Sequence, residues 1–148
     1  MVNSQVWYNL LMKIFIVGSK YNFDKIPSIK ETLENNGHVI TLPSGFADPY
    51  KELEVQKLGK DEYLKFKTHM LREQGKRVEA NDAILVLNFD KNNHKNYIGG
   101  ATFLEVFKAW ELGKKIFFYN DLPEGILHDE LVGMNPKVIN GDLSLINS

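Results

Sequence analysis

The feature that most constrains the fold is an uninterrupted apolar run from Ala83 to Leu87. The run is continuously apolar rather than alternating, which is the pattern of a strand covered on both faces. A polar loop begins at Asn88, and Gly99-Gly100 then open a segment with apolar residues at helical spacing. Doubly covered strands are typical of parallel sheets, so the sequence predicts an α/β architecture.

Strands and helices are predicted to alternate along the chain. The predicted strands are Lys13 to Val17, His38 to Leu42, Ala83 to Leu87, Lys115 to Tyr119 and Lys137 to Ile139. The predicted helices are Ile26 to Asn35, one or two surface helices between Tyr50 and Glu79 broken near Gly59 or Gly75, Ala101 to Leu112, and Ile126 to Val132. With right-handed crossovers, this order predicts a single-domain, three-layer α/β sandwich of the Rossmann or flavodoxin-like type, with a mostly parallel sheet of about five strands.

The length and apolar content suit one domain. The chain has 148 residues, and 43% apolar side chains are enough to bury a core without disulfides or metal. Because Met12 looks like the natural opening of the domain, we expect residues 1–11 to be a peripheral extension and residues 12–148 to form the α/β domain. The stretch Val2 to Val17 is too polar and too short to span a membrane, and it lacks a cleavage site for secretion.

Charge and cysteine content argue against several classes of function. The formal net charge of -1 gives no general field that attracts nucleic acid or anionic membrane, so neither partner is expected. The absence of cysteine removes disulfides, thiolate zinc sites and thiol nucleophiles, and it is compatible with the cytoplasm, where we expect the protein. The 4 histidines show no metal-ligand spacing, so no metal or other cofactor is expected.

A ligand site is expected beyond the carboxyl ends of the strands, where open parallel sheets bind their ligands. The residues placed there are Gly18, Ser19, Lys20 and Tyr21 after the first strand, and Asn88 to Gly100 after the central strand. These two loops should meet. Gly18-Ser19 fits neither a Walker loop nor a Gly-x-Gly-x-x-Gly fingerprint, so nucleoside triphosphates and dinucleotides are not favoured.

The helix after the central strand is opened by two glycines and carries one carboxylate. Free N–H groups at Gly99 and Gly100 can face an anion or a sugar oxygen. Glu105 follows about one turn and a half into the helix, beside the same crevice. Alternatively, Glu105 is a solvated glutamate on the surface of the helix. Three aromatic residues of this helix are expected in the core: Phe103, Phe107 and Trp110.

The order of these motifs resembles the nucleoside 2-deoxyribosyltransferase superfamily, which includes nucleoside 5'-monophosphate N-glycosidases. The resemblance covers roughly residues 12–120 and lies in Asn81-Asp-Ala-Ile-Leu-Val, the Gly99-Gly-Ala-Thr-Phe-Leu-Glu105 segment and Leu112-Gly-Lys-Lys. It implies that Glu105 attacks C1′ of a sugar and releases the base, and that water or a second base resolves the glycosyl ester. A carboxylate suits this chemistry because it both stabilises an oxocarbenium-like centre and bonds to it.

The chain departs from this family at two acid positions. Gly99 stands where the transferases carry an aspartate and the phosphate-reading hydrolases a serine. Gln74 stands where the family carries an aspartate in the preceding helix, with Glu73 adjacent. A glutamine cannot act as a general acid, so either Glu73 substitutes through a shifted helix or the usual proton donor is missing. The residues expected to contact substrate are Gly18, Ser19, Lys20, Tyr21, Gln74, Asp82, Asn88, Gly99, Gly100 and Thr102.

Two functions remain open at this point. The first is an enzyme that cleaves the base–sugar bond of a nucleoside or nucleotide with Glu105 as its nucleophile. The second is a non-catalytic nucleotide-binding or sensing domain on the same scaffold, which the missing acids at Gly99 and Gln74 favour. Asp82 has a structural alternative as a residue that caps the central strand.

The expected partners are a small-molecule nucleoside or nucleotide and, from the resemblance, a second copy of the chain. Such proteins commonly form homodimers or larger assemblies, and Tyr50 to Glu79 is the expected contact surface. The choice of base, sugar and phosphate depends on the loops Pro43 to Pro49 and Phe89 to Ile98. The polar part of the second loop, Lys91 to Asn96, is either a lid or a solvated segment.

Overall fold

A parallel sheet of five strands forms the centre of the molecule. The computed structural model describes residues 11–147, so the predicted extension lies outside the described residues except for the exposed Leu11. The strands are β1 (Lys13–Gly18), β2 (Val39–Thr41), β3 (Ala83–Leu87), β4 (Lys115–Phe118) and β5 (Lys137–Val138). Their order is β2-β1-β3-β4-β5, and each neighbouring pair is parallel. The predicted α/β sandwich of the flavodoxin-like type is confirmed.

Helices cover both faces of this sheet. They are α1 (Ile26–Asn35), α2 (Lys51–Gln56), α3 (Lys60–Ala80), α4 (Gly100–Glu111) and α5 (His128–Met134), with a short 3₁₀ helix at Lys20–Lys25. The predicted charged helical region is divided at Gly59, which has φ 113° and directly precedes α3, whereas Gly75 continues inside α3. None of the described helices is long and apolar enough to cross a membrane.

The core consists of two apolar layers, one on each face of the sheet. Every residue of β3 is buried, with alternate side chains entering opposite layers. On one face β3 packs with Ile29 and Leu33 of α1, and on the other with Val106 and Ala109 of α4. This double coverage explains why the sequence of β3 shows no alternation.

The aromatic residues of α4 do not occupy the positions that the sequence predicts. Phe103 is partly buried, but Phe107 and Trp110 are 43% and 49% exposed. The buried face of α4 instead consists of Thr102, Glu105, Val106 and Ala109. Small and medium side chains on this face let the helix lie close to the sheet, which turns the largest side chains away from it. The prediction that Phe107 and Trp110 belong to the core is wrong.

The topology creates a crevice at the carboxyl ends of β1 and β3. These strands are neighbours, and Gly18 pairs with Leu87 at the end of their register. A Cβ atom on Gly18 would lie 2.9 Å from the Leu87 carbonyl oxygen, and φ is 149°, so glycine allows the two strand ends to approach. The chain leaves β1 toward β2 and β3 toward β4, so strand order reverses here, and such points bind ligands in open α/β sheets.

Candidate functional site

A cavity of about 250 Å³ opens beside this switch point, between α3, α4 and the segment after β2. Five of the residues predicted to contact substrate or react with it line this cavity: Gly18, Lys20, Gln74, Thr102 and Glu105. They come from the loop after β1, the middle of α3 and the first turns of α4. The two loops predicted to approach each other therefore contribute unequally: the cavity is closed by helix α3 rather than by the loop after β3.

Glu105 is the buried acid of the cavity. Its residue is only 8% exposed, and it faces α3 rather than solvent. Burial raises the pKa of its carboxyl group to about 8, and the guanidinium of Arg77 opposes that shift without cancelling it. The alternative interpretation of Glu105, a solvated glutamate on the helix surface, is therefore wrong. At neutral pH the group is mostly a neutral carboxylic acid, and it becomes a carboxylate in mildly alkaline solution.

Gln74 lies on α3 and faces the same cavity as Glu105. Its Nε2 donates a hydrogen bond of 3.1 Å to the Ser44 hydroxyl, whereas its Oε1 is buried without a partner. Glu73 lies outside the cavity and pairs with Lys76 at 3.2 Å. The helix is thus not shifted in a way that would bring Glu73 into the cavity, and the amide of Gln74 lines it instead.

A second unpartnered polar atom lies one turn along α3. Arg77 Nη1 is buried without a hydrogen-bond partner, and Gln74 Oε1 is the other such side-chain atom among residues 11–147. An unsatisfied buried polar group costs roughly 1–3 kcal/mol, so such atoms in a native fold call for an explanation. Both atoms are on the helix that faces Glu105, which favours a binding role for this part of the molecule.

Several lining residues were missed in the sequence because they lie in a segment that reads as a solvated surface. Phe66, Met70 and Leu71 of α3 form an apolar wall, and Phe23 of the 3₁₀ helix adds an aromatic ring. Their spacing on α3 is helical, but the charged residues between them conceal the apolar stripe. The stripe is the only signal that predicts which face of α3 turns inward.

An ion pair holds the mouth of the cavity. Glu52 Oε1 of α2 accepts hydrogen bonds from Lys67 Nζ at 3.1 Å and Tyr63 Oη at 3.0 Å of α3. Burial alone would raise the pKa of Glu52, but these two bonds and the positive charges of Lys67 and Lys20 together hold the pKa below its ordinary value. Glu52 is therefore a carboxylate at neutral pH. Asp48 also lines the mouth, on the exposed part of the preceding loop.

The remaining residues predicted in the two loops have structural roles instead. The Ser19 hydroxyl accepts a hydrogen bond from the Tyr21 amide, 3.4 Å, at the start of the 3₁₀ helix. Tyr21 is 67% exposed, with the Lys91 ammonium 4.4 Å from its ring centroid. Neither residue lines the cavity.

Asn88 is fully buried and joins the loop after β3 to the loop after β4. Its Nδ2 donates to the carbonyls of Asn120 and Asp121, and its Oδ1 accepts from the Asn120 amide at 2.9 Å. Asn120 Nδ2 returns a bond of 3.0 Å to the Asn88 carbonyl. Asn88, one of the residues expected to contact substrate, thus ties two strand ends together in this structure.

Asp82 lies at the opposite edge of the sheet from Glu105. It directly precedes β3, and its Oδ2 accepts a hydrogen bond of 2.9 Å from the Lys13 amide. A residue before a strand lies at the amino edge of the sheet, so the structure places Asp82 apart from the cavity that Glu105 lines. Asp82 instead caps the start of β1 by accepting the hydrogen bond from the Lys13 amide, which agrees with its alternative interpretation as a strand cap.

The two glycines before Glu105 start α4 and do not line the cavity. Gly99 is the residue before the helix, and Gly100 is its first residue. A Cβ on Gly99 would contact the Tyr97 hydroxyl at 3.5 Å, which is ordinary van der Waals distance. The glycines therefore serve the passage from loop to helix in this structure.

The polar loop after β3 is a tight turn. The amides of Lys91 and His94 donate to each other's carbonyl oxygens at 2.9 and 2.8 Å. Asn92 and Asn93 between them have φ 49° and 65°, the pair of left-handed residues that a type I′ turn requires. The turn does not line the cavity around Glu105.

Neither a metal centre in the described part of the chain nor a known relative indicates the function of this protein. Among residues 11–147, no group of three His, Asp or Glu side chains is arranged to hold a metal ion. Neither a protein-family model nor a curated protein matches this chain, so its function is inferred from the residues around Glu105.

Proposed function

We propose that the protein cleaves the base–sugar bond of a nucleoside or nucleotide, with Glu105 as its nucleophile. The observation that carries this proposal is a single buried carboxyl group facing a small cavity at the switch point of a parallel sheet. A volume of about 250 Å³ is small for a ligand site and suits a compact molecule such as a nucleoside. The proposal includes membership of the nucleoside 2-deoxyribosyltransferase-like superfamily.

The chemistry divides one difficult displacement into two easier ones. In the first step an oxygen of the Glu105 carboxylate bonds to C1′ while the C1′–N bond breaks, which releases the base. In the second step water, or an acceptor base, attacks C1′ and the ester bond to Glu105 breaks. Attack by water makes the protein an N-glycosidase, whereas attack by an acceptor base makes it a transferase.

The decisive experiment follows free base by chromatography after incubation with a panel of nucleosides and 5'-monophosphates, with and without an acceptor base. We expect base release by the wild-type protein and its loss in Glu105→Ala. Glu111→Ala is the matched control, because Glu111 is an exposed glutamate on the same helix. Release that persists in Glu105→Ala, or that disappears equally in the control, would remove the support for a nucleophilic role.

The second candidate function is a nucleotide-binding or sensing domain without turnover. The uncharged Gln74 opposite Glu105 and the raised pKa of Glu105 both favour it, since a neutral carboxyl group is a poor nucleophile. Saturable binding without product, little changed by Glu105→Gln, would support this function over the enzyme.

We also propose that the protein acts in the cytoplasm as a homo-oligomer, a dimer or larger. Four large apolar side chains on α3 and α4 are about half exposed: Leu71, Leu104, Phe107 and Trp110. Leu71 and Leu104 line a groove of about 520 Å³ between the two helices, and Glu105 lines both this groove and the cavity. Sedimentation of the wild-type protein and of Trp110→Glu tests whether this surface joins two copies.

A further inference from the structure

The supply of protons in the cavity limits which base can leave. When the C1′–N bond of a neutral nucleoside breaks, the electron pair stays on the base, which departs as an unstable anion unless an acid protonates it. Gln74 lines the same cavity as Glu105 from α3, and its amide has no acidic proton to give. Glu105 cannot supply that proton either while it acts as the nucleophile.

The other carboxyl groups of the cavity are more exposed than that of Glu105. Two more line it, Glu52 and Asp48. Glu52 is held as a carboxylate by Tyr63 and Lys67, so it has no proton to donate at neutral pH. Asp48 is exposed at the mouth, on the loop between β2 and α2.

We propose that the substrate of this cavity is a cationic N-glycoside, in which the sugar is attached to a positively charged ring nitrogen, as in an N-ribosyl pyridinium. This inference rests on the proposed function and specifies its substrate class. Glu105 oxygen bonds to C1′, the C1′–N bond breaks, and its electron pair neutralises the ring nitrogen. The aromatic base leaves as a neutral molecule without any proton transfer. Water then attacks C1′, the ester bond breaks, and the proton of the water passes to solvent.

The walls of the cavity suit a flat cationic ring. Phe23 and Phe66 supply aromatic faces, and Met70 supplies a polarisable sulfur. The Oε1 of Gln74 is itself buried, so it is not a contact for the ligand in this structure. The aromatic rings of the cavity wall attract positive charge through their π-systems.

A positive ligand also acts on the nucleophile itself. An opposite charge close to a carboxyl group favours its ionised form, whereas an anionic phosphate in the same place would disfavour it. A cationic substrate thus promotes the carboxylate form of Glu105 that the reaction needs. Three lysines also line the cavity. The ammonium of Lys67 is paired with Glu52 at 3.1 Å, and Lys20 and Lys51 are exposed, so solvent screens their charge.

The test compares leaving groups on the full-length wild-type protein. N-ribosyl nicotinamide and ring-substituted N-ribosyl pyridiniums are incubated beside adenosine, uridine and cytidine, and the released base is measured. We expect kcat/KM for the pyridiniums to exceed that for the neutral nucleosides by about 100-fold or more, the typical contribution of an acid catalyst. Within the pyridinium series the rate should fall as the leaving base becomes more basic.

Installing an acid provides the second readout. Gln74→Glu should raise the cleavage of neutral nucleosides about tenfold or more and leave pyridinium cleavage unimproved. Gln56→Glu is the matched control, because it makes the same substitution at an exposed position on α2, outside the cavity. If Gln74→Glu does not fold, the leaving-group series on the wild-type protein decides the matter alone.

The outcomes separate this inference from the function on which it rests. Neutral nucleosides cleaved as fast as pyridiniums by the wild-type protein would overturn the substrate class and leave glycosidic cleavage standing. Loss of neutral-base release in Asp48→Asn alone would identify Asp48 as an acid and would also overturn the inference. No base released from either class of compound would refute the proposed function, and the inference would fall with it.

Discussion

Glu105 shows how one buried residue links chemistry to folding. Its carboxyl group keeps its proton in the folded protein at pH values where the unfolded chain has lost it, because burial disfavours the charged form. Ionising Glu105 therefore lowers the stability of the fold. The helix accepts this residue on its buried face beside Val106, where an apolar side chain would be expected.

The first consequence is a stability that falls with pH. The pKa of Glu105 is raised from 4.5 to about 8, so the folded state binds one more proton than the unfolded state within that window. The protonated Glu105 contributes its full stabilisation below pH 4.5, and this contribution is lost as the pH rises through about 8. We expect the free energy of unfolding in urea to fall by roughly 4 kcal/mol between pH 5 and pH 9 on account of this group. Glu105→Gln should remove most of that dependence, whereas Glu111→Gln should keep it.

A second consequence concerns the pH dependence of catalysis. If Glu105 attacks as a carboxylate, kcat/KM should rise with pH and level off above about 8, the pKa of the buried group. Arg77→Met removes the positive charge that lowers this pKa, so the midpoint of the rise should move upward. An activity that decreases over the same range would show that Glu105 works as a proton donor.

At the level of single residues, the sequence located the buried carboxyl group of the cavity better than the rest of the lining. Glu105 was found because it follows an apolar strand and a glycine-opened helix, and Lys20 was found because it follows β1. Asn88 and Asp82 do not line the cavity, and the reason is common to both: short polar side chains at strand ends satisfy backbone groups as readily as they bind ligands. A sequence alone does not distinguish these two uses.

At the scale of elements, the strands and α1 follow directly from local patterns, whereas the charged region between β2 and β3 does not. Its two helices bury only Val55 and Val78, so little periodicity marks their inner faces. The break between them is fixed by Gly59, whose φ of 113° and ψ of 174° belong to a region that essentially only glycine occupies. The sequence contained two candidate glycines, and only the backbone geometry separates them.

The two glycines should respond oppositely to the same substitution. Gly59→Ala forces a side chain into a glycine-only conformation and should destabilise the protein by about 1–3 kcal/mol. Gly75→Ala lies inside α3, where a Cβ would meet nothing within 4 Å, and should stabilise it by about 0.5–1 kcal/mol. Chemical denaturation of both variants measures the two values. Equal effects at the two positions would show that α3 does not begin after Gly59.

At the scale of the whole molecule, the order of the strands is what creates the site. The sequence predicts five strands that alternate with helices, but it does not say which strand lies beside which, since that depends on the side of the sheet each crossover takes. Placing β3 between β1 and β4 buries it completely and brings Leu87 against Gly18. The central position of β3 therefore determines both the core and the crevice.

Truncation of β3 should test its central place in the core. Leu85 is 0% exposed, so Leu85→Ala should cost about 2–5 kcal/mol through lost burial and the cavity it leaves. Leu58→Ala is the matched control, because Leu58 is 69% exposed and should change stability by about 0.5 kcal/mol or less. Thermal or urea unfolding gives both numbers. A small effect at Leu85 would contradict the packing of both layers against this strand.

The hydrogen bonds between Asn88 and Asn120 make one side of the cavity more rigid than the other, and hydrogen exchange can detect this difference. They fix the strand ends beneath the site, whereas between residues 43 and 59 only Pro43 and Val55 are buried. Segments with few buried side chains open at low free energy, and ordering them on binding has an entropic cost. A ligand should therefore slow amide exchange mainly in residues 43–59 and change little at Asn120. Selectivity among ligands of similar shape would then depend on how well each ligand orders residues 43–59.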